Sequence, residues 1–211
     1  MKQMQKPKQI KRHPLRGVLG LLALILLYLV TGAIIPFLKQ PEPGAACGQF
    51  NPADAYANTP GTERAAIISD NDEAFLRRFQ LISQAREQII LSSYDFKADD
   101  SGLSLLAALY DAAERGVQVK IIVDGLNAVT KVQYNPYFQA LSAHENGEVR
   151  IYNPFKPWLP WRLMGRMHDK YLIADDFAYL LGGRNTHDAF LKSDTESMCY
   201  DWDALVYTAQ T

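Results

Sequence analysis

The sequence of 211 residues has only two cysteines, Cys47 and Cys199. That is too few for a disulfide framework, and their spacing does not match a zinc module. One bridge or two unpaired thiols both stay open. An excess of charge of either sign is also missing: 22 Lys and Arg face 23 Asp and Glu, for a formal net charge of −1. A chain that coats nucleic acid normally carries a clear basic surplus, so composition argues against that class. No internal repeat and no low-complexity tract is visible. The length leaves room for roughly one domain plus an appendage.

Two local absences are more informative. The first sixteen positions hold Lys2, Lys6, Lys8, Lys11, Arg12 and Arg16 and no acidic residue. From Gly17 to Leu38 there is no charged residue at all, a run of 22 residues that is almost purely aliphatic from Leu19 to Val30. That exceeds the ~20 residues a helix needs to cross the hydrocarbon core. The organisation expected is a basic leader at 1–16, a transmembrane anchor at 17–38 and a Pro-, Gly- and Ala-rich linker at 39–62. A domain at 63–211 follows. A cleaved signal peptide, cut after Gly44-Ala45-Ala46, is the competing reading, but the apolar run is long for its central region. A lipid-modified Cys47 is weaker, since Gly44 stands where such a site wants Leu. The basic cluster predicts a cytoplasmic N-terminus and an extracytoplasmic domain on the cell membrane.

Within the domain, Asp70-x-x-Glu73 reads as a capping box, and Phe75, Leu76, Phe79 and Ile82 then form an inward helical stripe. Residues 89–96 read as a strand. A helix over 103–115, with Leu103, Leu106, Ala107 and Tyr110 inward, leads to a strand over 117–123. Strand, helix, strand is a βαβ unit with parallel strands and a right-handed crossover. A helix at 136–143 and a strand at 148–152 follow. Residues 167–174 and 178–181 read as a hairpin turning at Asp175-Asp176, and 202–207 as a last strand. The fold class is α/β with a mixed β-sheet flanked by helices.

The chemistry-bearing pattern is His168-x-Lys170-x4-Asp175-x6-Gly182-Gly183-x-Asn185. At residue frequencies of a few per cent, a chance match in such a chain is on the order of one in 10⁵ or rarer. Neutral imidazole is a competent nucleophile toward phosphorus, and a covalent intermediate splits one hard displacement into two easier ones. The Lys170 ammonium suits charge growing on phosphoryl oxygens. Two residues apart in a strand, His168 and Lys170 point to one face. Asn185 and the amides of Gly182 and Gly183 are expected to complete a phosphate cradle. Asp175 belongs to the candidate catalytic set by its place in the motif. Its odd separation from His168 argues instead for a turn fixed through side-chain-to-backbone hydrogen bonds. A metal site is disfavoured because Lys170 would set a cation against the ion. His187 and His144 read as surface residues, and His13 as part of the leader.

This pattern resembles the phospholipase D superfamily, with the resemblance running from about residue 65 to the end. The stretches 167–175 and 181–188, with Tyr200-Asp-Trp-Asp203, are most similar to the bacterial cardiolipin synthase branch. The resemblance implies a phosphatidyl transfer through a phosphohistidine at His168, without cofactor or metal, on phospholipid at a membrane. It also implies that Asp201 is the acid that holds the imidazole tautomer. The family's site uses two motif copies, and this chain has one, ending at Thr211 where relatives continue into a second half. The second motif is expected from that missing half or from a second copy of the chain. The alternatives are a dimeric single-motif phosphodiesterase acting on nucleic acid and an inactive half-domain. Finally, Tyr152 to Arg162 is rich in Pro and Trp. Trp158 and Trp161 suit a headgroup zone, and Lys156, Arg162 and Arg166 suit lipid phosphates. A loop packed over the domain reads equally well.

Overall fold

The computed structural model describes residues 14–38, 51, 53, 59 and 61–208. The leader up to position 13, most of the linker, Cys47 and the last three residues lie outside the described residues. Two compact units are present. One consists of helix α1 (Pro14–Leu38) and the segment 156–164; the other holds 61–155 and 165–208. Residues 156–164, which the sequence places inside the domain, therefore group with α1. The Leu15–Leu38 stretch contains 18 consecutive residues with a mean hydropathy of 2.7 and is long enough to span a bilayer. Its leucines are exposed, unlike those of a core helix.

The larger unit is a seven-stranded mixed sheet in the order β1-β7-β6-β5-β2-β3-β4. The strands are β1 (Glu63–Ile68), β2 (Gln88–Ser93), β3 (Gln118–Asp124), β4 (Gly147–Tyr152), β5 (Tyr171–Ala174), β6 (Ala178–Gly182) and β7 (Asp203–Thr208). β2, β3 and β4 are parallel, and the remaining neighbours are antiparallel. The helices are α2 (Asn71–Gln84), α3 (Asp100–Glu114), α4 (Gly125–Lys131), α5 (Pro136–Ala143) and α6 (Asp188–Leu191). The expected βαβ unit is β2-α3-β3. The expected hairpin is β5-β6, turning at Asp175.

Local chemistry explains the boundaries. Asp70 caps α2 by accepting the Glu73 N–H at 2.8 Å, and Asp99 caps α3 by accepting the Gly102 N–H at 3.2 Å. Asn135 caps α5 ahead of Pro136, whose missing N–H costs nothing at the first helical position. α2, α3, α5 and α6 touch one another and form one layer. Beneath it lie the inward residues Ile89, Leu91, Val119, Ile121, Leu172 and Leu180, all buried.

Several expectations need correction. The inward residues of α2 are Asn71, Ala74, Arg78, Leu81 and Ile82, while Leu76 and Phe79 are exposed. In α3 they are Leu105, Leu106, Ala108, Leu109, Ala112 and Ala113, while Ala107 and Tyr110 face out. The α2 face is rotated because Asn71 and Arg78 meet buried partners, and the α3 face because Leu105 and Leu109, with Ala108, Ala112 and Ala113, turn inward. β1 was not anticipated. Five of its six residues are exposed, so it has no apolar alternation, and its partner β7 lies far along the chain. α4 and α6 are too short to show a period.

The face of α2 is set by a buried ion cluster. Asp203 is paired with Arg78 at 2.9 Å and with Arg184 at 3.4 Å, with all three side chains almost fully enclosed. Arg184 also donates to Asn71 Oδ1 and to the carbonyls of Ile68 and Ser69. Burial pushes the Arg78 pKa down, and Asp203 opposes that. Removing the single carboxylate leaves two guanidinium groups enclosed together. Asp203→Asn is therefore expected to destabilise the fold by about 3–5 kcal/mol, read as a lower midpoint of chemical denaturation.

Candidate active site

All motif residues but Asp175 gather at one end of the sheet, beside the carboxyl ends of the parallel strands β2 and β3. Open α/β sheets bind ligands at such an edge. His168 and Lys170 lie just ahead of β5 rather than inside it, because β5 begins at Tyr171. Side chains hold this segment in place of a full ladder. The buried carboxylate of Asp124, at the end of β3, accepts the Met167 N–H at 2.9 Å. It also caps Leu126 and pairs with Arg166 at 3.2 Å. The Ser92 hydroxyl donates to the Asp169 carbonyl at 3.3 Å.

The expected convergence of His168 and Lys170 occurs, but around a third residue. The Tyr94 ring, just past β2, meets the His168 ring edge-on at 4.9 Å, and Lys170 Nζ sits 5.7 Å from the centre of the same ring. Lys170 Nζ also donates to the His168 carbonyl at 2.7 Å. The ammonium is buried while His168 is exposed. Burial lowers the Lys170 pKa from its ordinary value, and the charges of Asp201 and Asp169 counter that. An enclosed ammonium beside an open imidazole can hold a phosphoryl oxygen while the ring attacks phosphorus.

Asp201 lies against the backbone of Gly183, where a Cβ would fall on its carboxylate. It accepts the Trp202 N–H at 2.8 Å, and no hydrogen bond joins it to His168 among the described residues. A Cβ on Gly182 would likewise strike Asp203. The glycine amides are already engaged: Gly182 N–H donates to the Lys170 carbonyl and Gly183 N–H to the Trp202 carbonyl, both at 3.2 Å. The pair therefore clears space for two carboxylates, and its amides do not face a phosphate as expected. Asn185 Oδ1 accepts the Asp95 N–H at 3.1 Å, which fixes its amide beside Tyr94 in sequence.

Asp175 sits at the far end of β5, roughly 20 Å from His168 at ~3.3 Å per strand residue. It occupies the left-handed region, with φ 50°. Its carboxylate accepts the N–H groups of Arg86, Glu87 and Gln88 at 2.9, 2.9 and 2.7 Å. These bonds hold its pKa below the ordinary value although burial works the other way. A turn-fixing role through side-chain-to-backbone bonds is expected from the odd separation of Asp175 and His168. The partner of its side chain is the start of β2 rather than its own turn. A concave surface of about 900 Å³ also lies at this end, away from His168.

His187 is buried rather than a surface residue. It stands 3.7 Å from Asp95 through Nε2, and Lys97 Nζ is 3.4 Å from Nδ1. Lys131 pairs with the same Asp95 at 2.7 Å. Burial and then Lys97 push the His187 pKa down. Sequence reasoning missed Tyr94, Asp95 and Asp124. Their signal was position, each falling at the end of an apolar parallel strand.

Residues 79–210 match the family model described as cardiolipin synthase, PLD-like domain. The chain belongs to this phospholipase D-like family. It is 33% identical over 185 residues to cardiolipin synthase C of Escherichia coli, covering 83% of this chain and 35% of that protein. It is 32% identical over 168 residues to an uncharacterised Helicobacter pylori protein, covering 74% of this chain and 32% of that one. The chain thus spans about a third of the length of the curated relatives it matches. NucT from Helicobacter pylori shares the fold with a TM-score of 0.53 at 20% identity, over 69% of this chain and 86% of that one. Phosphatidylserine synthase of Haemophilus influenzae gives 0.52 at 18%, over 69% and 33%.

Two substitutions separate the two aspartates. Asp201→Asn removes a charge that favours the Lys170 ammonium. It is expected to move the alkaline limb of the pH–activity profile to lower pH, with little change in the denaturation midpoint. Asp175→Asn keeps a residue that tolerates positive φ but weakens three charge-assisted bonds, at a cost of about 2 kcal/mol. A depressed carboxylate stabilises above its unfolded pKa of 3.8. The stability gap to wild type should therefore hold near neutral pH and close as pH falls below 3.8 through the native value.

Proposed function

We propose that the chain is a membrane-anchored phospholipase D-type phosphatidyltransferase, working through a phosphohistidine on His168. The observation that carries this reading is the pairing of an exposed imidazole with a buried ammonium across the Tyr94 ring. An imidazole nitrogen of His168 attacks the lipid phosphorus, and the bond from phosphorus to the leaving alcohol oxygen breaks. The Lys170 ammonium balances charge on the phosphoryl oxygens, and Asn185 borders the same edge. An acceptor alcohol or water then displaces His168 and takes the phosphatidyl group.

One imidazole cannot both attack and protonate a leaving oxygen on the opposite side of phosphorus. A second imidazole must donate that proton and later take one from the acceptor. We assign it to a second motif, carried by a continuation of the chain or by a second copy. Tyr200 and Trp202, which flank Asp201, are 81% and 70% exposed and offer apolar area for such a partner. We assign 17–38 to a single span with the basic leader on the cytoplasmic side, and 63–211 to an extracytoplasmic domain. The charge balance and phospholipid chemistry leave nucleic acid as the rival substrate in the test.

The full chain, reconstituted in phosphatidylglycerol vesicles, is expected to form an acid-labile phosphoenzyme. His168→Ala should abolish it, with turnover falling below about one part in 10³. Cleavage of single-stranded DNA without phosphoenzyme formation from lipid would replace this reading with the nuclease one.

A further inference from the structure

The segment 156–164 has no role in the chemistry above, yet it forms a compact unit with α1. Tyr28 OH donates to the Pro157 carbonyl at 2.6 Å. One turn further along, a Cβ on Gly32 would come within 3.0 Å of the Pro160 side chain and 3.2 Å of its carbonyl. Tyr28, Thr31, Gly32 and Pro36 share one face of the helix by spacing. The last three are shielded, while the apolar residues around them stay exposed. The loop is thus seated on the C-terminal third of α1. Its own apolar groups point elsewhere: Trp158 is 70% and Met164 54% exposed.

We infer that residues 156–164 form a membrane-inserted loop, embedded at the headgroup and acyl boundary beside α1. The inference rests on the proposed α1 anchor. Gly32 lies six residues from Leu38, about 9 Å along the axis at 1.5 Å per residue. Interfacial segments bury their apolar face about 5–10 Å into that boundary. A bilayer tolerates irregular backbone only where polar groups are satisfied, and this loop has fewer N–H groups left to satisfy than its length suggests. Pro157 and Pro160 have no N–H, while the Leu159 and Arg162 N–H groups donate to the carbonyls of Lys156 and Leu159 at 2.9 and 3.0 Å. The Tyr28 hydroxyl, set one turn deeper where water is scarce, finds its acceptor in Pro157. Between Pro154 and Met167 there is no acidic residue, whereas Lys156 and Arg162 carry the charge that anionic headgroups attract. Tryptophan is the side chain most suited to this depth, with an apolar body and one N–H that can reach the headgroups.

The chain has three tryptophans, so Trp202→Phe leaves only the two in the loop. The full chain with this change would be reconstituted in equimolar phosphatidylglycerol and phosphatidylcholine. Lipids brominated in the upper acyl chain should quench the remaining fluorescence at least about twofold, and aqueous iodide should quench it little, as for residues of the interfacial aromatic belt. Gly32→Leu, which crowds the seat on α1, should weaken the lipid quenching while the chain stays in the vesicles; unchanged quenching would overturn the seat. If the protein resists an alkaline carbonate wash but iodide quenches the loop freely, the loop inference fails and the anchor stands. If the wash removes the protein, the anchor reading fails and takes the inference with it.

Discussion

Asp203 is the carboxylate on which the site is assembled. It stands at the first position of β7, faces Arg78 from α2 and Arg184 from the motif's glycine turn, and has no access to water. Removing two guanidinium groups and a carboxylate from water is costly, and only mutual pairing plus hydrogen bonds to carbonyls offsets it. Arg184 supplies such bonds by reaching Ile68, Ser69 and Asn71. One cluster therefore joins the β1–α2 connection, α2, the turn after β6 and the head of β7. Gly183 and Asn185 flank Arg184, and Asp201 lies two residues before Asp203.

The motif acts at both ends of β5. At one end His168 and Lys170 meet the Tyr94 ring, with Asp124 and Ser92 holding the backbone that carries them. At the other, Asp175 accepts three N–H groups from 86–88 and so sets where β2 begins. β2 ends in Tyr94. Asp175 thus acts on the site through the register of a strand, because a slip of one residue would turn Tyr94 to the opposite face. The half-buried cluster of Asp95, Lys97 and Lys131 around the buried His187 adds a second constraint, since the Asp95 N–H fixes Asn185.

Helix α1 and the segment 156–164 follow a separate logic. α1 has no partner for its leucines among the described residues, and the loop seated on it turns Trp158 and Met164 outward. Pro157 and Pro160 remove two N–H groups from the loop, and those of Leu159 and Arg162 bond within it. Both features suit a hydrocarbon surround better than water.

The sequence alone determined the family, the apolar helix, the βαβ unit and the hairpin. Each is a local signal: a fixed motif, an uncharged run, or a period of apolar residues bounded by caps. The odd separation of His168 and Asp175 already argued for a backbone-fixing role for that aspartate. Only tertiary structure decided the rest. The inward face of α2 turned on Arg78 meeting a carboxylate 125 residues away. β1 exists because β7 pairs with it, and Tyr94 joins the site because β2 lies beside β5. Gly182 and Gly183 look like a phosphate cradle in sequence, yet in space they make room for Asp203 and Asp201. Long-range pairing of buried charges and strands leaves no periodic trace in a single sequence, so these roles could be read only where the chain comes together.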